Sequence, residues 1–387
     1  MYDRPDYATA RSETGFGWSC GGGQGALRQI TGTPIREFNL DPATCIECYR
    51  TGRPMLHEMF GDDVSPPSLS TPAISYGHPS CLGSELLFPE GGEVGQTHIY
   101  KSLEEGIAAL KQPVKWAEAG MAPFYLDFRA RLQEAFPGEA VGLAFGAEGP
   151  LTSAYELRGD GFFTDLHDAP ELAGEFLRVL VDSIVDYDYW YGEVHGNPRV
   201  SPHGAGMVDD VAAFIPPALF PRFVLPYWEQ YYSALTTGKR SAHVEDLTIA
   251  QLPFLEDIGL CSYDPSISPR LTPPLITQHC RVPYVWRLGE IHFREMTVQE
   301  TSDFVFMAAA DGANGVTTVV AEETCNDKGV TMIHAFIAAG KEAKLLLDEG
   351  CSREELRDRV SAEGKARLWE RWCGYNGPLS SRGGARG

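Results

Sequence analysis

From about residue 140 onward, short apolar runs alternate with longer stretches whose apolar positions recur at helical spacing, the pattern of successive strand–helix units around a parallel sheet. AVGLAFGAEGP (140–150) reads as a buried strand opening into a Gly/Pro turn, and LAGEFLRVLVDSIVDYDYWYGEV (172–194) as a long helix. HGAGMVDD (203–210) is a second strand, and the helix expected over 218–237 must kink or shorten at Pro221 and Pro226, whose rings remove backbone donors. KRSAHVED (239–246) supplies a third strand, residues 247–259 a short helix, and LCSYDP (260–265) a strand end. PPLITQHC (273–280) is helical, with its prolines suited to a first turn. The series continues with a strand over 282–290, a helix over 298–312 closed by Gly312, and GVTTVVAEE (315–323), which has the β-branched density of a buried strand. Residues 328–350 form a strongly periodic helix, and 352–373 a last amphipathic one.

Residues 1–135 carry a weaker pattern: GGGQG (21–25) and PPSLSTP (66–72) read as loop, with room for a helix in PATCIECYRTGRPMLHEMFG between them. Repeated strand–helix units over this length favour a (β/α)8 barrel over an open doubly wound sheet, and no G-x-G-x-x-G follows a strand. The expected organisation is an N-terminal helical extension over 1–70 within the same domain, the barrel over 71–375, and a flexible tail over 376–387.

Composition narrows the partners. The formal charge of −21, from 32 basic against 53 acidic residues, argues against a nucleic-acid or anionic-membrane surface. No stretch reaches the ~18 apolar residues a spanning helix needs, and the N-terminus lacks a signal-like apolar run, so the expected location is cytoplasmic. Nine scattered cysteines suit a reducing compartment, where thiolates are free to bind metal. Nothing in the chain decides between a monomer and a homodimer.

In a parallel barrel the catalytic residues close the strands at their C-terminal ends. The candidates there are Glu148, Asp209, Asp210, His243, Glu245, Tyr263, Asp264, Arg287 and Cys325. His243 and Glu245 stand two apart in a strand, so both side chains take one face while Val244 points away. Imidazole, carboxylate and thiolate are all zinc donors, and a catalytic zinc keeps three protein ligands and an open position, so Cys325 could supply the third. By spacing alone the same residues are also ordinary polar strand ends. Cys45 and Cys48 have no second pair to complete a four-cysteine site and read as two thiols on one helix face. DLHDAP (165–170) has Pro170 where the cobalt-ligating D-x-H-x-x-G loop of corrinoid carriers has glycine, and reads as a helix cap.

GPLTSAYELRGDGFFTDLHDAPELAGEFLRVLVDSIVDY, VDDVAAFIPPALFPRFVLPYWEQYYSAL and the segment from SAHVEDL to AFIAAGKEA together resemble the uroporphyrinogen decarboxylase superfamily, over roughly residues 140–345. That resemblance implies the (β/α)8 barrel and either of two chemistries: metal-free decarboxylation of a tetrapyrrole, or zinc-dependent methyl transfer with a corrinoid protein. GFGWSCGGGQGALRQITGTP lacks the R-Q-A-G-R-Y type arginine motif of the decarboxylases. The methyltransferases carry H-x-C on a strand and a later Cys before a helix; His243 and Cys325 match, while Glu245 replaces the first Cys.

The resemblance therefore implies zinc held by His243, Glu245 and Cys325, with the corrinoid (cobalamin) carried by a separate partner. A carboxylate in place of a thiolate gives a harder ion, better matched to a substrate bound through oxygen. The expected reaction is demethylation of a methoxy compound, with a methoxyaromatic donor as the expected substrate; transfer to a thiol is the alternative. Asp209 or Asp210 is expected to orient His243 or act in catalysis with Tyr263, and Glu148, Asp264 and Arg287 to bind substrate.

Overall fold

A computed structural model describes residues 2–372, so the tail expected over 376–387 lies outside the described residues. The chain divides into two compact units, one made of residues 33–50 and 68–240, the other of residues 4–32, 51–67 and 241 onward. Each mixes helices with parallel strands, an α/β architecture.

The first unit is organised by the helix Pro170–Val194, which packs against the helices Leu103–Leu110, Leu225–Leu235 and Pro150–Arg158. Its sequence period puts Phe176, Leu177, Leu180, Val181, Ile184 and Tyr187 on the buried side. The expected helix over 218–237 breaks where its prolines demand: Phe220–Phe223 ends at Val224, and Leu225–Leu235 restarts with Pro226 in its first turn. The strand expected over 140–150 shrinks to two parallel bridges, Gly142 to Ser70 and Phe145 to Ile74. DLHDAP is not a helix start: Asp165 and His167 lie in the last turn of the helix Gly161–Asp168, and the next helix begins at Pro170 behind Ala169, which offers no side-chain cap. Asp165 instead pairs with Arg158 at 2.9 Å.

The second unit holds a run of parallel pairings. Gly17–Gly22 pairs with Gly315–Val320, which pairs on its other side with Val285–Arg287. Tyr284 bridges to Tyr263, and Ser262–Asp264 pairs with residues 241–243 of the next strand, His243 opposite Asp264. The end of the strand Gly17–Gly22 and the start of the helix Gln24–Thr31 fall on the stretch 21–25, expected to be loop. Glycine lowers strand propensity and hides this strand from a periodicity argument; here close packing accounts for one of them, since a Cβ on Gly22 would stand 2.6 Å from Leu56. The helices Val298–Ala310 and Asp327–Asp348 pack together, the first started by a Thr297/Glu300 capping box and the second by the Asn326 side chain on Gly329.

Candidate metal centre

His243 is the last residue of the strand Lys239–His243, Asp264 the last of Ser262–Asp264, and Arg287 the last of Val285–Arg287. Parallel pairing sets His243 opposite Asp264, and the Tyr263–Tyr284 bridge brings the next strand alongside, so Arg287 reaches Asp264. Val244 is fully buried, and its N–H donates to the Asp264 carbonyl at 3.2 Å, which carries the chain one residue past the strand and turns Glu245 to the His243 side. His243 Nε2 stands 3.6 Å from Glu245 Oε1, and His243 Nδ1 stands 3.0 Å from Asp264 Oδ2. Arg287 Nη2 donates to the same Asp264 oxygen at 2.8 Å, and the Ser266 backbone N–H donates to Asp264 Oδ1 at 2.8 Å. All four side chains are half-buried.

Two residues beside the cluster hold left-handed backbone, Asp246 at φ 60° and Ser266 at φ 50°. Non-glycine residues adopt this region at a cost, and such positions gather where a site must be held in one shape. Hydrogen bonding to His243 holds the Glu245 carboxyl below its ordinary range against the opposing effect of burial, with Ser266 adding to it. Burial would raise Asp264, but His243 and Arg287 outweigh it and hold that carboxyl low as well. The cluster therefore offers two ionised carboxylates around one imidazole. Nε2 and Oε1, at 3.6 Å, have the separation of two donors on one zinc ion, each ~2.0–2.2 Å from it.

The other expected residues are placed as follows. Asp209 is fully buried in the first unit, and its carboxylate accepts from Thr152 N at 2.7 Å, Leu151 N at 3.3 Å and Trp228 Nε1 at 2.6 Å. Those bonds close the start of the helix Pro150–Arg158 and leave the group committed to structure. Asp210 opens the turn Asp210–Phe214. The Tyr263 hydroxyl is buried and donates to the Val244 carbonyl at 3.0 Å, bracing the turn under Glu245. Glu148 is half-buried, its carbonyl accepting from Ser153 Oγ at 3.0 Å. Cys325 follows the turn Glu322–Thr324, and its thiol donates to the Ala321 carbonyl at 3.2 Å. Cys45 and Cys48 are both buried in the helix Pro42–Phe60.

The carboxylate on His243 Nδ1 is thus Asp264, in the position the sequence reading gave to Asp209 or Asp210. Ser266 was not singled out at all. Its signal is local: an Asp whose side chain takes the N–H two residues on is an Asx turn, and the Asp264-Pro265-Ser266 stretch is suited to one.

Neither a protein-family profile nor a curated protein matches this chain. Among solved structures, a methyltransferase from Methanosarcina mazei is similar with a TM-score of 0.61 at 18% identity, covering 87% of this chain and 97% of that one. At that identity the likeness is one of fold.

Proposed function

We propose that this protein is a zinc-dependent methyltransferase, built on a (β/α)8 scaffold, that demethylates a methoxyaromatic substrate and passes the methyl group to the cobalt(I) of a separate corrinoid protein. The observation that carries the proposal is the pair His243 and Glu245, an imidazole nitrogen and a carboxylate oxygen 3.6 Å apart at a strand end. Cys325, in the same unit as that pair, is the third ligand in this reading. The fold likeness to a protein named as a methyltransferase supports the same class of chemistry.

Bound zinc supplies Lewis acidity that stabilises negative charge as an aryl ether C–O bond breaks. The methyl group leaves without the bonding electrons, which stay with the oxygen, and the acceptor contributes its own pair. A set with one nitrogen, one oxygen and one sulfur donor makes a harder ion than a set with two thiolates, and so favours an oxygen-linked donor over a thiol. Arg287, tied to Asp264, offsets part of the negative charge gathered around His243. In this reading the acceptor sits on a separate corrinoid protein; Asp165 and His167 of the DLHDAP stretch lie in a helical turn.

The test is zinc content of the purified protein, measured beside methyl transfer from a panel of methoxylated aromatics to cobalt(I) cobalamin, followed in the visible spectrum. One zinc per chain and transfer from at least one aryl ether are expected, both lost in His243→Ala and Glu245→Ala. Absence of zinc would sink the proposal, and transfer only between methylcobalamin and a thiol would replace it with the thiol-directed reaction. Cys325→Ser is expected to lose zinc as well, and zinc retained there would remove Cys325 from the set.

A further inference from the structure

We infer that Tyr76, Glu148 and Glu156, gathered at the strand ends of the first unit, form a binding site for an organic cation of the substituted-ammonium class. All three residues belong to that unit, and the site does not depend on the metal proposed above.

Ile74 bridges to Phe145 in parallel, and the Gly149 N–H donates to the Val208 carbonyl at 2.6 Å, so the chain leaves neighbouring parallel segments at Tyr76, Glu148 and Asp209. The helix Pro150–Arg158 starts directly after this end, behind Gly149. Helical side chains lean toward the N-terminus of their helix, and residues three apart share a face. Ser153 Oγ donates to the Glu148 carbonyl at 3.0 Å, so Glu156, one turn on, lies on the face that overlooks the same strand ends.

Glu156 is only 4% exposed, and its Oε2 is buried without a hydrogen bond among the described residues. A buried carboxyl without a partner costs free energy that packing alone does not explain, and such groups gather at binding sites. Burial pushes Glu156 well above the ordinary carboxyl range, and Glu148 and Asp209 push it further. Burial, then Glu156 and Glu148, raise the Tyr76 phenol, whose hydroxyl makes no hydrogen bond among the described residues. The charges that bear most on both groups are acidic, which favours a cation over an anion. Glu148, Glu156 and Asp209 do not bring their oxygens within ligand spacing of one ion, which sets aside a bare metal. An ammonium carrying alkyl groups spreads its charge over a larger surface, reaches both glutamates and gains from contact with a tyrosine ring. Its charge stabilises the ionised form of Glu156, so the proton kept there by burial passes to solvent as the cation binds.

The test is isothermal titration calorimetry on the full chain with tetramethylammonium, trimethylammonium and choline chlorides. The uncharged analogue of choline in which carbon replaces nitrogen is titrated beside them, all at equal ionic strength. Saturable binding of at least one cation is expected, and none of the uncharged analogue. Glu156→Gln keeps the size of the side chain but cannot ionise, and it is expected to weaken cation binding ~10-fold or more. No binding by any of the cations, equal binding of the uncharged analogue, or an affinity that Glu156→Gln leaves unchanged would overturn the inference. Denaturation midpoints identify a variant that fails to fold; should Glu156→Gln be one, Glu148→Gln carries the same decision.

Discussion

Asp209 and Asp264 are two strand-end aspartates that the sequence cannot rank, and their hydrogen bonds separate them. Asp209 spends its carboxylate on two backbone N–H groups and the Trp228 indole in a fully buried position. Asp209→Ala leaves those donors unpaired, and a loss of about 2–4 kcal/mol in unfolding free energy is expected, read as a lower denaturant midpoint. Zinc content, scaled to folded protein, should not change; loss of metal without loss of stability would mean that Asp209 acts at the site. His243 and Glu245 were legible from strand periodicity. Asp264 was recognised as a strand-end group, but its partnership with His243 depends on which strand lies alongside and in what register, and one chain read alone does not contain that.

At the level of elements, the clearest helices were readable because their apolar periods are long and their boundaries chemically marked. Val298–Ala310 starts at a capping box, and the proline pair in 218–237 marks the break at Val224. The strand Gly17–Gly22 was not readable, since its pairing with Gly315–Val320 stabilises what composition disfavours. The same strand reverses a propensity argument in the helix Asp327–Asp348. Gly340→Ala should favour an isolated helix by about 1 kcal/mol. In the folded chain its Cβ would meet Trp18 Cγ at 2.8 Å, so a net destabilisation of about 1–3 kcal/mol is expected from overpacking. A raised melting temperature would show that Trp18 moves aside freely. The helix Pro170–Val194 carries a pH dependence. Burial pushes Asp188 up to about 7, against a hydrogen bond to Tyr231 that lowers it. The folded state keeps a proton that the unfolded chain releases near its ordinary value of 3.8, so this stabilisation is full below that pH and is lost as pH rises toward about 7. Asp209, raised by burial to about 6, adds in the same direction. Asp188→Asn should flatten the fall in the denaturation midpoint between those limits, and an unchanged slope would assign it to other groups.

For the molecule as a whole, a metal that binds only the folded state must raise its stability. Zinc at 100 times its dissociation constant is expected to add about 2.7 kcal/mol, seen as a concentration-dependent rise in melting temperature that His243→Ala abolishes; an equal rise in that variant would place the binding elsewhere. Among the described residues no helix is long and apolar enough to cross a membrane. The formal charge of −21 sets solubility and repels polyanions without specifying a fold. What the sequence determined by itself was the alternation of strands and helices, the placing of His243 and Glu245 on one face, and the carboxylate where the resemblance leads one to expect a thiolate, because periodicity and side-chain chemistry are local properties. Only the tertiary structure decided that Asp264, Arg287 and Ser266 gather on His243 and Glu245, that Asp209 is committed to a helix terminus and Trp228, and that a glycine-rich segment is a strand. Each of those outcomes depends on which distant segments lie in contact, and contact is a property of the folded chain.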